Sequence, residues 1–360
     1  MWPGAGSVWR SVRIPSSALF LVGAALASDV VPGLAPSVDH VELVVTIALV
    51  VILFDGGAAI GWRRFRTAAV PILSLGVPGT FATAGLLTLF AHGALGLGWL
   101  TAGLLAAAIA PTDPAVVFSV LGSHPVRGRA RTILEGESGA NDPVGIALML
   151  GLIALATHAD ASFWIVVRVF VEQMAIGLAA GLVGGFVERR LLRVGWLRTL
   201  VLVAVVYFVA DRLGGSGFLA VFVMGLVVGD IEAPSQALQD RIASLAEIVA
   251  FVALGLTVHL SDIDVGRWGE GLALAAFLAL LARPVVVGVL LAPVRVAHAE
   301  RLFVVWGGLK GAVPILLAAF AVTHEVHDAS LIYETVFVVV LASVVVQGGT
   351  IPLAVRRLGL

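Results

Sequence analysis

The stretch Glu135-Gly136-Glu137-Ser138-Gly139-Ala140-Asn141-Asp142-Pro143 carries three carboxylates, a hydroxyl and a carboxamide. It heads a run, 144–156, that is almost pure hydrocarbon. Ionisable groups at membrane depth are costly and mark routes for ions or protons. On a helix, Glu135, Ser138 and Asp142 share one face at spacings of three and four, while Glu137 and Asn141 form a second pair at four. A carboxylate in hydrocarbon resists ionisation unless a cation or hydrogen bonds stabilise its charge. A proton and a monovalent cation can therefore compete for Asp142, the expected centre of function and the expected place of a bound monovalent cation. That competition is the minimal chemistry for exchanging one for the other.

The elements that must hold this stretch are membrane helices. The chain has 360 residues, 60% hydrophobic and 12% charged, with mean hydropathy +1.07, far outside the range of soluble domains. At about 20 residues per crossing there is room for roughly twelve helices and for no sizeable soluble domain. Expected spans are 14–30, 41–61, 67–92, 97–121, 131–157, 163–188, 196–212, 215–229, 243–260, 270–293, 300–323 and 331–355. The absence of cysteine excludes disulfides and thiolate metal sites, and no convincing cleavage site follows Arg10 and Arg13. Arginines gather in alternate connections, at 63–66, 127–131, 189–198, 295–301 and 356–357, while the others carry aspartate and glutamate. Both termini are expected on the cytoplasmic side, and only the acidic loop 230–240 fits that side poorly. Asp142 then lies about eleven residues inside the basic border, roughly 16 Å deep at about 1.5 Å per residue, near the bilayer midplane.

Two spans contain helix breakers at comparable depth. The fourth has Ala110-Pro111-Thr112-Asp113-Pro114, and the eleventh has Gly307-Gly308-Leu309-Lys310-Gly311-Ala312-Val313-Pro314. Pro111, Pro114, Gly307, Gly308, Gly311 and Pro314 can leave backbone amides and carbonyls unpaired, tolerated at that depth only where protein or a water-filled cavity satisfies them. The two spans run in opposite directions, as an inverted repeat requires. A seven-helix offset pairs spans one to five with eight to twelve and leaves the seventh unmatched. Asp113 offers oxygen to a cation and can also cap the half-helix it precedes. Lys310, the only lysine among 22 lysines and arginines, must find a partner or lose its proton. Glu137 is the expected partner in a structural ion pair, and a proton-carrying lysine is the sharper reading. Asp55 could line an inner vestibule or pair with an arginine of the 63–66 cluster. Arg283 before Pro284 suits helix stitching.

These residues resemble the bacterial NhaP-type cation:proton antiporters of the monovalent cation:proton antiporter superfamily. The resemblance rests on Glu137-Ser138-x-x-Asn141-Asp142, Thr112-Asp113-Pro114, Phe54-Asp55-Gly56-Gly57 and the block from Trp306 through Pro314, in order across nearly the whole chain. It implies an all-α polytopic membrane protein with two crossed broken helices, in the bacterial cytoplasmic (inner) membrane. The implied function is exchange of Na+ or K+ for H+ by alternating access, with no cofactor and no nucleic-acid partner. The resemblance further implies a homodimer, with scaffold helices in 1–62 and 196–265, a linker helix in 161–195, and a mobile core from 63–160 and 266–360. Asp142 would be the shared carboxylate, completed by Ser138, Asp113, Thr112 and Asn141, with Asp55 assisting from the scaffold. Asn141-Asp142 in place of two aspartates is the pattern of the electroneutral branch, suggesting one proton per cation. The chain departs from the family in lacking a counterpart to its first of thirteen spans, and in carrying Lys310 where an arginine usually pairs with the glutamate.

A reading from a different class is a rhomboid-like intramembrane serine hydrolase, because Gly136-Glu137-Ser138-Gly139 fits a short G-x-S-G pattern. It needs a histidine base. His92, His158, His259 and His298 all fall near span ends, and the pattern leaves Asp113, Asp142 and the second break unexplained. A channel would need a ring or filter of ligands, and no such repeat is visible.

Overall fold

Apolar helices satisfy their own backbone hydrogen bonds, the condition for crossing hydrocarbon, and the computed structural model is built from them. It describes residues 15–121, 129–158, 162–191, 196–230 and 236–360, and among these there is no strand. In chain order the helices are α1 (Ser16–Val30), α2 (Val38–Ser74), α3 (Thr80–Leu95), α4 (Trp99–Ile109), α5 (Ala115–Leu121), α6 (Ala130–Thr157), α7 (Trp164–Leu191) and α8 (Trp196–Arg212). There follow α9 (Gly217–Val228), α10 (Gln236–Leu256), α11 (Val265–Phe277), α12 (Arg283–Leu290), α13 (His298–Trp306), α14 (Ala312–Thr323), α15 (Ala329–Ala342) and α16 (Gly349–Leu358). Short π-helical segments, Leu75–Gly79, Leu278–Ala282 and Ser343–Gly348, join α2 to α3, α11 to α12 and α15 to α16. Among the described residues, five stretches are long and apolar enough to cross a bilayer: Val38–Leu95, Ala130–Thr157, Trp164–Arg190, Val265–Leu290 and Ala329–Leu358.

The loop expected between 61 and 67 is replaced by helix. The residues after Gly61 keep helical dihedrals, so the chain bends at Gly61 itself (φ +67°, ψ 159°) and again at Ala68. An added Cβ on Gly61 would meet Asp230 Oδ1 at 2.7 Å. The Asp230 carboxylate accepts from the Arg63 amide beyond the bend, at 3.2 and 3.3 Å. This gives Asp230, the first acid of the loop that fitted its side poorly, a local reason to be there. Side chains cap helix starts: Ser216 accepts from Leu219 N ahead of α9, and Asp264 accepts from Gly266 N ahead of α11.

Hydrophobic burial does not drive one membrane helix onto another, because lipid is equally apolar; close backbone approach at small residues does. Gly57 of α2 and Gly225 of α9 meet this way, since a Cβ on either would lie 2.3 Å from a carbonyl oxygen of the other helix. Gly255 of α10 approaches Leu21 of α1 in the same way, with a Cβ 2.5 Å from its carbonyl oxygen. The helix at the centre is α6. Its Gly136 packs on Ile72, Gly139 on the Phe222 ring, Gly145 on Pro111 and Gly151 on Val166. The small residues between its polar ones are what let α2, α4, α7 and α9 close around it.

Candidate functional site

Both expected breaks are present, with α4 ending at Ile109 and α5 starting at Ala115, and α13 ending at Trp306 and α14 starting at Ala312. They meet. The Asp113 amide donates to the Leu309 carbonyl at 2.8 Å, and the Asp113 carboxylate lies so close over Gly311 that a Cβ there would sit 1.8 Å from Oδ2. Only glycine leaves that space. The position also puts the carboxylate at the electropositive start of α14.

Helix α6 runs past this junction and presents one polar face to it. Asn141 Nδ2 donates to Thr112 Oγ1 at 2.8 Å, and Asn141 Oδ1 accepts from the Thr112 amide at 3.3 Å. The carboxamide thereby satisfies a backbone donor freed by the break. One turn away, Ser138 Oγ donates to Asp142 Oδ2 at 3.3 Å. Asp142 is 4% exposed, yet its other oxygen, Oδ1, has no hydrogen-bond partner among the described residues. Pro143 adds to the local oxygen supply, since it has no amide to return to the Gly139 carbonyl. The Asp113 carboxylate and the Lys310 ammonium both act electrostatically on Asp142. Buried polar groups are nearly always satisfied, so an orphaned carboxylate oxygen beside two helix breaks has the chemistry to accept a proton or a cation.

The expected Glu137–Lys310 pair does not form. Glu137 instead receives both arms of Arg283, with Nη1 donating to Oε1 and Nη2 to Oε2, the latter at 2.8 Å; Nη2 also donates to the Val304 carbonyl at 3.0 Å. The planar guanidinium fork matches a carboxylate's two oxygens, which an ammonium cannot do. Gly308 leaves room for it, because a Cβ there would fall 2.3 Å from Arg283 Nε. Lys310, 1% exposed, donates to the Ala110 and Pro111 carbonyls at 2.8 and 2.7 Å. Those oxygens end α4, where a cation complements the helix dipole. The Lys310 amide is held by Ser343 Oγ at 3.0 Å, and Ser343 donates to Gln347 at 2.7 Å. The π-helical segment that places these two side chains carries no charge and no proline to mark it in the sequence. Arg283 does carry such a mark, as a charge in mid-span.

The structure thus gathers Thr112, Asp113, Ser138, Asn141, Asp142 and Lys310, with Pro111 packed on Gly145, and the Glu137–Arg283 pair beside them. Asp55 is half-buried and lines a different small pocket with Thr199, Leu200, Gln239 and Ile242. That pocket shares no lining residue with the Asp142 cluster. The serine-hydrolase reading gains nothing. Ser138 donates to a carboxylate, while His92 contacts the Leu97 carbonyl, His158 the Ala154 carbonyl and His259 the Ser28 hydroxyl.

Comparison with known proteins places the chain in a family and a fold. The family described as "Sodium/hydrogen exchanger, transmembrane" matches residues 4–357. The K(+)/H(+) antiporter NhaP of Alkalimonas amylolytica is 39% identical over 331 residues, 88% of this chain and 58% of that protein. The K(+)/H(+) antiporter NhaP2 of Shewanella sp. (strain ANA-3) is 35% identical over 361 residues, covering 95% of this chain and 62% of the relative. The present chain therefore spans about three-fifths of the length of these relatives. The Na(+)/H(+) antiporter NhaH of Halobacillus aidingensis is 27% identical over 383 residues, 98% of this chain and 94% of that one. Among solved structures, the sodium proton antiporter MjNhaP1 from Methanocaldococcus jannaschii at pH 8 superposes with a TM-score of 0.81 at 22% identity, covering 95% of this chain and 94% of that one. That likeness establishes the fold.

Proposed function

The chain belongs to the sodium/hydrogen exchanger family, and from that premise we propose that it exchanges a monovalent cation, Na+ or K+, for H+ across the cytoplasmic membrane. The observation that carries the reading is the buried Asp142 carboxylate, one oxygen held among the described residues only by Ser138 and the other by none of them. A proton on Oδ1 neutralises it; a cation bound there, with Ser138 Oγ, the Asp113 carboxylate and backbone oxygens of the Thr112 break within the same cluster, stabilises it charged. The two ligands exclude one another. Asn141, already engaged by Thr112, does not titrate, which supports one proton per cation and an electroneutral cycle.

Twelve spans, cytoplasmic termini and a homodimer complete the proposal. We place α1, the first half of α2, α9 and α10 in a scaffold, supported by the close approaches of Gly57 to Gly225 and of Leu21 to Gly255. The hydrogen-bonded breaks, α6 and the Glu137–Arg283 pair form a core that shifts against this scaffold to alternate access. Asp55 faces a pocket between α2, α8 and α10, suited to a scaffold-side vestibule. The test is reconstitution of the purified chain in acid-loaded proteoliposomes, adding Na+, K+ or Li+ outside and following internal pH. Alkalinisation driven by one of these cations supports the proposal and names the ion; a folded protein that responds to none refutes it.

A further inference from the structure

A cavity of about 140 Å³ lies between α1 and α10, apart from the Asp142 cluster. Its polar wall is Ser16, Ser17, Ser244 and Glu247, and its apolar wall includes Phe20 and Phe251. Glu247 is the only acid in the expected span 243–260, where a carboxylate without a task is selected against by its cost. Ser17 is 3% exposed and its Oγ has no hydrogen-bond partner among the described residues, so the wall includes a buried hydroxyl that none of them engages. The Asp113 carboxylate acts electrostatically on Glu247, and α1 touches α5, the half-helix that follows Asp113. The cavity therefore lies beside the helix that packs on the half-helix following Asp113. Ser16 and Ser17 open α1, and Ser244 and Glu247 lie in the first half of α10, at the ends that the arginine distribution assigns to the cytoplasm.

We propose that this cavity is a second cation-binding station, where Glu247 and the hydroxyls of Ser16, Ser17 and Ser244 hold a partly hydrated Na+ or K+ between the cytoplasm and Asp113. The inference rests on the exchange reading above. Carboxylate and hydroxyl oxygens are the hard ligands that such cations take. The volume holds several waters beside an ion, so full dehydration is left to the deeper site. Phe20 and Phe251 exclude water from one side and thereby strengthen the attraction of Glu247 for a cation.

The chain has no cysteine, so Ser17→Cys in the full-length protein creates a unique thiol whose rate of modification by a methanethiosulfonate reagent reports occupancy of the cavity. With Na+ or K+ at about ten times its Kd, against choline at equal ionic strength, occupancy slows labelling about tenfold. Adding Glu247→Gln reduces that protection to under about twofold, because the vacant fraction follows the weakened Kd. Adding Asp142→Asn leaves the protection intact. Absence of protection, its survival in Glu247→Gln, or its loss in Asp142→Asn would each overturn the station. Ser16→Cys, on the same wall, serves if Ser17→Cys does not fold. In transport, Glu247→Gln raises the cation KM and leaves the maximal rate within about twofold, the signature of lost binding rather than lost chemistry; a fall in maximal rate at unchanged KM overturns it. Failure of the wild-type chain to exchange any cation would refute the antiport reading, while the labelling would still decide the station.

Discussion

Removing one member of the Glu137–Arg283 pair should cost the fold more than almost any other single substitution. Both side chains are buried, at 1% and 5% exposure, and Arg283 makes three hydrogen bonds, two to Glu137 and one to the Val304 carbonyl. Breaking a buried pair strands the remaining charge, at a cost of about 3–5 kcal/mol. Glu137→Gln keeps the shape and belongs near the lower limit. Arg283→Gln also deprives Val304 of its donor and belongs near the upper one, since an unsatisfied buried acceptor adds about 1–3 kcal/mol. The double variant removes both charges and should be little worse than the poorer single, a coupling of about 2–3 kcal/mol. The Glu137/Lys310 cycle, built with Lys310→Met, should give under about 1 kcal/mol, because those side chains feel each other only through space. Equilibrium unfolding in micelles, read by the fluorescence of the 8 tryptophans, measures all four corners of each cycle. Equal coupling in the two cycles, or a larger one with Lys310, would refute the assignment of partners.

Three further outcomes follow from the junction of the breaks. Gly311→Ala places a methyl where Asp113 Oδ2 now lies, 1.8 Å away; overpacking of this kind costs about 1–3 kcal/mol, and exchange measured in proteoliposomes should fall at least about tenfold because a misplaced binding group loses its alignment. Wild-type exchange would contradict the placement of Asp113. Lys310→Met leaves the Ala110 and Pro111 carbonyls without their donor, a loss of about 1–3 kcal/mol for each, and Lys310→Arg should recover part of it; a thermal midpoint unmoved by Lys310→Met would contradict the capping role. Because proton and cation share Asp142, acidification should raise the apparent cation KM, by up to about tenfold per pH unit where the proton holds the site, and leave the maximal rate at saturating cation unchanged. A pH effect on the maximal rate alone would rule out a shared carboxylate.

What could be read from the sequence is what the membrane makes expensive. Polar groups within hydrocarbon, and prolines and glycines that free backbone groups there, stand out against an apolar background, so the α6 face and the two breaks are visible in the sequence itself. The helical class was legible for the same reason, and the family through the resemblance of the motifs those residues form. The choice between Arg283 and Lys310 as partner of Glu137 was not. Both are mid-span cations, and what separates them is that Gly308 opens a slot for the guanidinium while Lys310 reaches the end of α4, facts of three-dimensional approach rather than of spacing. The bend at Gly61 was hidden differently. Trp62, the arginines at 63, 64 and 66, and Phe65 look like a loop by charge but are compatible with helix, so the turn is concentrated in one glycine and stabilised by Asp230 from far along the chain.

The most direct test of Asp142 as the shared carboxylate is cation-driven proton efflux from acid-loaded proteoliposomes containing wild type, Asp142→Asn or Ser138→Ala, each verified as folded. Asp142→Asn should show no cation-dependent alkalinisation, because the amide carries neither the charge nor the exchangeable proton. Ser138→Ala should keep a reduced rate, lower by about fivefold for one lost hydrogen bond of about 1 kcal/mol. Exchange that persists in Asp142→Asn would show that proton and cation meet elsewhere.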